Sequence, residues 1–294
     1  MLIPVLSAKI RSAFPALRFA QTRLETYGDD NLVLVLDEEW IFRFSRTEAR
    51  RPLFQRELRV LEALRPYSPL PLPQYEFVAP DQSFGGYRMI KGVELTPARF
   101  RQLPELTRCQ IIAQLADFLS ACHRVPLSAL GEGPARRTYK DMAAMFARQQ
   151  RPVLLGNVEM ALIDQLDEFF ARIAQQPLAP TLVVSHGDLS DDHILFDETT
   201  GALTGIIDLG DTTAADPASD FAFFWSYGDD VPAQMLERYG GPTDGALLIR
   251  SRWEHMCFLT TLLYRSLVGD DTKLDSTWSS RLTKHLALSR AESG

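Results

Sequence analysis

Apolar and polar positions alternate with a period of two through "WIFRFS", residues 40–45. "NLVLVLD", residues 31–37, is a short apolar run on the other side of a tight "DEE" turn. Both runs predict strands. The period lengthens to that of a helix in "TEARRPLFQRELRVLEALR", residues 47–65. There Leu53, Phe54, Leu58, Leu61 and Leu64 fall on one face, Thr47 opens the helix and Pro66 ends it. "PLPQYEFVAP" and "FGGYRMI" add two more strands, so the front third predicts a small sheet with one helix.

"KGVELTP", residues 91–97, breaks that rhythm, and helical patterning dominates beyond it. "LTRCQIIAQLADFLSACHRV", "TYKDMAAMFARQQ" and "VEMALIDQLDEFFARIAQQ" predict three helices. From Pro217 onward the chain again reads helical, with "GALLIRSRWEHMCFLTTLLYRSLV" the longest segment. Between them "HILF" and "LTGIID" predict two strands joined by the turn residues "DETTG". The predicted fold class is α+β: a β-rich lobe over 1–90, then a connector and a helical lobe with an embedded hairpin over 91–294. No repeat or low-complexity segment stands out.

Composition narrows the picture little. A chain of 294 residues with 46% hydrophobic and 23% charged residues is ordinary for a soluble globular protein. No stretch approaches the roughly 20 apolar residues that cross a bilayer, and the N-terminus lacks the pattern of a secretory signal. Cys109, Cys122 and Cys257 form no CxxC pair and read as buried thiols in a reducing compartment, which makes the cytoplasm the expected location. Charge is uneven, +1 over residues 1–90 and −8 over 91–294. That distribution argues against nucleic acid and a membrane surface as partners and favours a cationic ligand on the back half.

Chemistry concentrates in the hairpin. "SHGDLSDDHILFDETTGALTGIIDLGD", residues 185–211, carries seven carboxylates and two histidines. A hairpin brings its open ends together, so His193 and Asp208 should face one site, with Asp188 reaching in from the preceding loop. Read as chemistry, the set suits phosphoryl transfer from a nucleotide, which needs hard ligands for divalent ions and a carboxylate near the attacking hydroxyl. Read otherwise, Asp188, Asp191 and Asp192 are a solvated acidic turn. His186 reads as a structural histidine of the loop.

"HGDLSDDHILFD…GIIDLGD" resembles the catalytic loop and metal-binding motif of the protein-kinase-like antibiotic and small-molecule phosphotransferases. Among them it is most similar to the aminoglycoside 2″-phosphotransferases, which share the "S-x-D-H-I-L-F-D" run and a "GD…DP…DF" continuation, here "GDTTAADPASDF". The resemblance implies a bilobal protein-kinase-like fold, Mg²⁺, and ATP or GTP as co-substrate. By position, Asp188 would be the catalytic base and Asp208 the principal Mg²⁺ ligand. His193 stands where many relatives have Asn, as a second metal ligand or a phosphate contact. Arg43 replaces the usual Lys and would bridge Glu57 and a phosphate. Gly28, in "ETYGDDNLVLVL", is what remains of a Gly-rich phosphate cover. "SFGGYRMIKGVELTP" resembles the hinge, placing Tyr87, Met89 and Ile90 at the base, where Tyr87 either packs in the core or favours guanine. Gly187 stands where protein kinases carry an Arg that senses a phosphorylated loop, which implies a constitutively competent small-molecule kinase.

On the acceptor side, Asp229, Asp230 and Glu237, with Asp211 and Asp220, are candidates for ammonium groups. The alternatives are ordinary surface acids, or for Asp220 a helix cap near Pro217. Trp278 either packs or lies against a sugar-like substrate, as an aromatic of this helix does in the resembling enzymes. The expected function is transfer of a γ-phosphate to a hydroxyl of an aminoglycoside antibiotic by a monomeric resistance enzyme. The alternatives are a macrolide, amino alcohol or other metabolite as acceptor, a metal-dependent hydrolase built on His186, Asp188, His193 and Asp208, and a nucleotide-binding pseudoenzyme.

Overall fold

In the computed structural model, which describes residues 2–25, 31–131, 138–177, 181–269 and 278–291, the alternating run folds as expected. Strands β2 (Asn31–Leu36) and β3 (Trp40–Ser45) pair antiparallel, Leu36 opposite Trp40. Asp37 and Glu38 both take φ of 52°, and the Glu39 amide donates to the Leu36 carbonyl at 2.9 Å. Two positive φ values in a row make the turn that matches strand twist. With β1 (Thr22–Glu25), β4 (Tyr75–Val78) and β5 (Phe84–Arg88) they complete a sheet in the order β1-β2-β3-β5-β4.

The pleat sorts β3 into two faces. Trp40, Phe42 and Phe44 join Leu34, Leu36 and Phe84 in an apolar layer, covered by Leu6 and Ile10 of helix α1 (Leu2–Ala13). Arg43 alternates to the opposite face, where helix α2 (Arg51–Leu64) lies. Gly85, opposite Arg43, allows that approach: a Cβ there would sit 2.9 Å from the Phe54 ring of α2 and 2.8 Å from the Phe77 carbonyl. Helix α2 buries Phe54, Val60, Leu61 and Leu64, each worth about 2 kcal/mol in water removed from apolar surface. It opens through a 3-10 turn at Glu48–Arg50, and the Thr47 side chain makes no capping bond.

The remaining helices are α3 (Pro97–Gln102), α4 (Glu105–Cys122), α5 (Tyr139–Met145), α6 (Arg151–Leu154), α7 (Met160–Ile173), α8 (Ala218–Phe221), α9 (Val231–Arg238), α10 (Leu247–Val268) and α11 (Trp278–Ala291). The predicted hairpin is present as β8 (Ile194–Phe196) and β9 (Leu203–Ile206), flanked by β6 (Val93–Glu94) in the order β6-β8-β9. Its turn closes with Asp197 Oδ1 accepting from the Thr199 amide at 2.7 Å. Strands β7 (Val183–Ser185) and β10 (Thr213–Ala215) pair beside it.

One apolar cluster joins Val60, Leu61 and Leu64 of α2 to Leu115, Phe118 and Leu119 of α4, to Ile194, Phe196 and Ile206 of the hairpin, and to Phe221 of α8. The hairpin therefore sits where the sheet region meets the helical region. A second cluster packs α5, α7, α10 and α11 together. Among the described residues no helix is long and apolar enough to cross a membrane. Cys122 and Cys257 are buried thiols, but Cys109 is exposed on the outer face of α4, contrary to the expectation for all three.

Candidate active site

The strand ends do converge. His193 closes the 3-10 turn that leads into β8, and its Nδ1 donates to the Asp188 carbonyl at 2.7 Å. With Nδ1 so occupied, the neutral ring turns its other nitrogen, Nε2, toward Asp208 Oδ2, 3.8 Å away. Asp188 Oδ2 lies 3.6 Å from Nδ1 of the same ring. One imidazole thus sits between the two carboxylates singled out by the sequence.

The two carboxylates experience opposite environments. The protein around Asp188 pushes its carboxyl up to about 6; His193 opposes the shift, and Asp192, Asp211 and Asp208 add to it. Burial also opposes charge on Asp208, yet Arg43 and His193 overcome it and hold that group down at about 2. A carboxylate poised near neutrality beside one that stays ionised is a pairing suited to separate base and ligand roles. For His193, burial disfavours the cation, but Asp192, Asp188 and Asp208 outweigh it and the pKa is raised.

Arg43 fixes Asp208. Its Nη1 donates to Glu57 Oε1 at 2.6 Å and its Nη2 to Asp208 Oδ1 at 2.5 Å. Burial works against the Arg43 cation, but Glu57 and Asp208 raise its pKa well above the usual value. Glu57 is fully buried; desolvation pushes it up to about 7 against the pull of Arg43. Tyr75 backs it, donating from its hydroxyl to Glu57 Oε1 at 3.2 Å. The fork that was expected to span Glu57 and a phosphate spans Glu57 and Asp208.

Among the described residues no three His, Cys, Asp or Glu side chains converge to hold a metal unaided. Asp208 and His193 offer one ionised oxygen and one nitrogen. That is a complement magnesium can use when nucleotide phosphates and water complete its shell, although oxygen is its preferred donor.

The loop carrying Asp188 is held from below. Asp220, in α8, is 3% exposed, and its oxygens accept from the Ser185 hydroxyl at 2.8 Å, the His186 amide at 2.9 Å and the Gly187 amide at 3.2 Å. His123 Nε2 lies 2.8 Å from the same carboxylate, and its Nδ1 lies 2.6 Å from the Tyr239 hydroxyl. Burial opposes the Asp220 charge, but these bonds and the nearby His123 and His186 rings lower its pKa. His186 is the scaffold histidine: buried, pushed down to about 4 by desolvation, with Nε2 on the Ile207 carbonyl at 3.2 Å and Nδ1 near the Asp188 amide at 3.4 Å.

The model of the Phosphotransferase enzyme family matches residues 24–247. The chain belongs to that family. An aminoglycoside 3′-phosphotransferase of Streptomyces fradiae is 28% identical over 160 residues, 49% of this chain and 57% of that one. Another from Escherichia coli is 26% identical over 197 residues, 63% of this chain and 68% of that one. The matched segments thus span about half to two thirds of these relatives. In fold, the chain is similar to the GDP and kanamycin complex of APH(2″)-IIIa, with a TM-score of 0.78, 22% identity and 99% of each chain covered. It is also similar to a macrolide 2′-phosphotransferase type I, with a TM-score of 0.65, 22% identity and 98% and 97% coverage. The α+β architecture, with a sheet region followed by a helical region, is the kinase-like fold of these phosphotransferases.

Other candidate residues of this phosphotransferase-family chain are distributed unevenly. Tyr87 is buried, its ring 5.1 Å from Tyr75 and nearly perpendicular to it, on the sheet face that carries Arg43. The Met89 amide is already bonded to the Glu39 carbonyl at 2.8 Å. Ile90 presses on β9: a Cβ on Gly205 would fall 2.9 Å from its Cγ2. Gly28 lies outside the described residues, as does the side chain of Trp278, whose backbone begins α11.

The acceptor-side acids do not form one group. Asp220 lies beneath the loop, where its bonds leave it no part in an acceptor cleft. Asp229 pairs with Lys284 of α11, and Asp230 accepts from Gln234 at 2.7 Å. Glu237 is on the exposed face of α9. The Asp211 backbone is pressed against Gly187: a Cβ there would meet the Asp211 carbonyl at 2.3 Å, and Gly187 takes φ of 84°. The glycine in "HGD" is therefore required by a close approach as well as by its left-handed backbone. Sequence reasoning missed His123, Tyr239 and Tyr75, none of which stands in a motif with a distinctive spacing.

Proposed function

We propose that this chain is a small-molecule kinase that transfers the γ-phosphoryl group of ATP or GTP to a hydroxyl of an aminoglycoside-type polycation. The observation that carries the reading is the convergence of Asp188, His193 and Asp208, with Arg43 and Glu57 holding Asp208 from the sheet region.

The acceptor hydroxyl would lie against Asp188, whose carboxyl sits near neutrality and accepts its proton as the oxygen attacks phosphorus. Bound Mg²⁺, held by Asp208 and His193, supplies charge neutralisation for the phosphate oxygens. Arg43 keeps Asp208 ionised and oriented and adds positive charge on the α- and β-phosphate side. Ile90 and Met89 border the base, and Gly28 belongs to the phosphate cover. Asp220 and His186 fix the loop so that Asp188 meets the hydroxyl with little reorganisation, which is where such enzymes find most of their rate. Asp230, Glu237 and Asp211 remain the acids for ammonium groups of the acceptor, with Trp278 against a sugar face. The protein works as a cytoplasmic monomer, with neither nucleic acid nor membrane as partner.

A second reading changes only the acceptor, to a macrolide or another amino alcohol carrying a single cation. It is supported by the loss of two acids from the expected acceptor set, Asp220 to the loop and Asp229 to Lys284. The test is nucleotide consumption with ATP and with GTP across aminoglycosides, macrolides and simple amino alcohols, with the phosphorylated position located by NMR. Turnover stimulated by aminoglycosides supports the first reading. Stimulation by macrolides alone overturns it in favour of the second.

A further inference from the structure

Arg56 stands one residue before Glu57 on α2 and is 3% exposed, an unusual place for a guanidinium. Its Nη1 donates to the Thr212 carbonyl at 2.9 Å, across 156 residues of chain. Thr212 is itself buried, and it ends the turn Leu209–Asp211 that Asp208 begins. That turn has two features that need external support. Asp208 takes a left-handed backbone, φ 58° and ψ 69°, which a non-glycine residue keeps only when its neighbours over-determine it. The Asp211 carbonyl is also wedged against Gly187, as described above.

Two consecutive residues of α2 grip the turn at its two ends. Glu57 acts at the start through Arg43, which holds Asp208 Oδ1. Arg56 acts at the finish through the Thr212 carbonyl. A guanidinium is suited to this task, since it remains charged when buried and complements the nearby Asp211 carboxylate. Arg59, one turn further along α2, donates to the Ala129 and Leu130 carbonyls at 3.2 and 3.0 Å, so it ties α2 to the helical region without touching the turn.

We propose that Arg56 is a positioning residue that locks the Asp208–Thr212 turn from α2 and thereby sets the attitude of the Asp208 carboxylate toward the metal ion. The metal part rests on the reading of Asp208 given under Proposed function; the grip on the turn does not. Loss of Arg56 should loosen the turn in the ligand-free protein and weaken divalent-ion binding, while Arg59 serves as a control of equal chemistry.

The experiment compares wild type, Arg56→Met, Arg56→Lys, Arg59→Met and Asp208→Asn. Amide hydrogen exchange over residues 209–212 is read without nucleotide or metal, and Mn²⁺ binding in the presence of nucleotide is read by electron paramagnetic resonance. Arg56→Met should speed exchange in the turn and weaken Mn²⁺ binding about tenfold, the lower end of what losing an outer-shell partner costs. Arg59→Met should do neither, even where it lowers the melting temperature. Wild-type exchange in Arg56→Met overturns the proposal. If Arg56→Met does not fold, Arg56→Lys is decisive: it keeps the charge and stem but not the fork, and wild-type exchange there also overturns it. Unchanged Mn²⁺ binding in Asp208→Asn instead overturns the metal reading, leaving the exchange result to judge the grip. Lost binding in Asp208→Asn with unchanged binding in Arg56→Met overturns the Arg56 proposal alone.

Discussion

Replacing Asp220 by alanine removes the one acceptor shared by Ser185, His186, Gly187 and His123. The site is buried, so water does not substitute readily. Each of the two stranded backbone amides costs about 1–3 kcal/mol. Breaking a buried hydrogen-bonded charge pair costs about 3–5 kcal/mol in all, so we take ~4 kcal/mol for the variant. At about 2–4 °C per kcal/mol for a large domain, its melting temperature should fall by about 10 °C. Asp220→Asn keeps the shape and should lose roughly half as much.

The same carboxylate has a pH signature. Its folded pKa is depressed, so its contribution to stability is fully present above the ordinary carboxylate range and is lost as pH falls through the lowered folded value. Asp220→Asn should therefore flatten the acid limb of a stability–pH curve measured by urea unfolding. Thermal melts of the three proteins, with acceptor KM alongside, decide the matter. A melt of Asp220→Ala within about 2 °C of wild type, joined to a raised acceptor KM, would refute the structural assignment and return Asp220 to the acceptor site.

Other residues give sharper or simpler expectations. Gly187→Ala meets both the Asp211 carbonyl and a left-handed backbone, and should cost at least about 2 kcal/mol by urea unfolding and most of the turnover. Arg43→Lys keeps the charge but cannot fork between Glu57 and Asp208; nucleotide KM should rise about tenfold in steady-state assays, as for loss of an outer-shell partner. Arg250→Met strands the buried Asp216 carboxylate, which it contacts at 2.6 and 3.2 Å, and should lower stability by about 3–5 kcal/mol with nucleotide affinity unchanged.

The hairpin was legible because two local signals agree there. Period-two apolar runs fix the strands, and the turn residues fix where they reverse, so the spacing of Asp188, His193 and Asp208 translates directly into proximity. Arg43 and Glu57 were legible for a related reason: one sits on an alternating strand, the other on a periodic helix, and the faces must meet. Helix α1 and strand β1 were not anticipated. The first is a short apolar segment that gains its place only by covering the outer face of the sheet, and the second is a four-residue edge strand.

Asp220 shows the limit more clearly. Its motif context identifies it as special but not why, because its partners come from β7, the following loop and the end of α4. Arg56 was invisible for the opposite reason. A helical arginine beside "RPLFQRELRV" reads as a solvated face, and only the approach of the Asp208–Thr212 turn makes it interior. The acids at 229 and 230 looked equivalent in sequence, yet one meets a lysine from α11 and the other a glutamine on its own helix.

The central claim is that Asp188 takes the proton of an acceptor hydroxyl during phosphoryl transfer. It is tested most directly by acceptor-dependent nucleotide turnover in wild type and Asp188→Asn, with nucleotide affinity measured separately by calorimetry. The account predicts that turnover falls by about 10²–10⁴-fold while nucleotide affinity and melting temperature hold. Turnover near the wild-type rate in Asp188→Asn would contradict it.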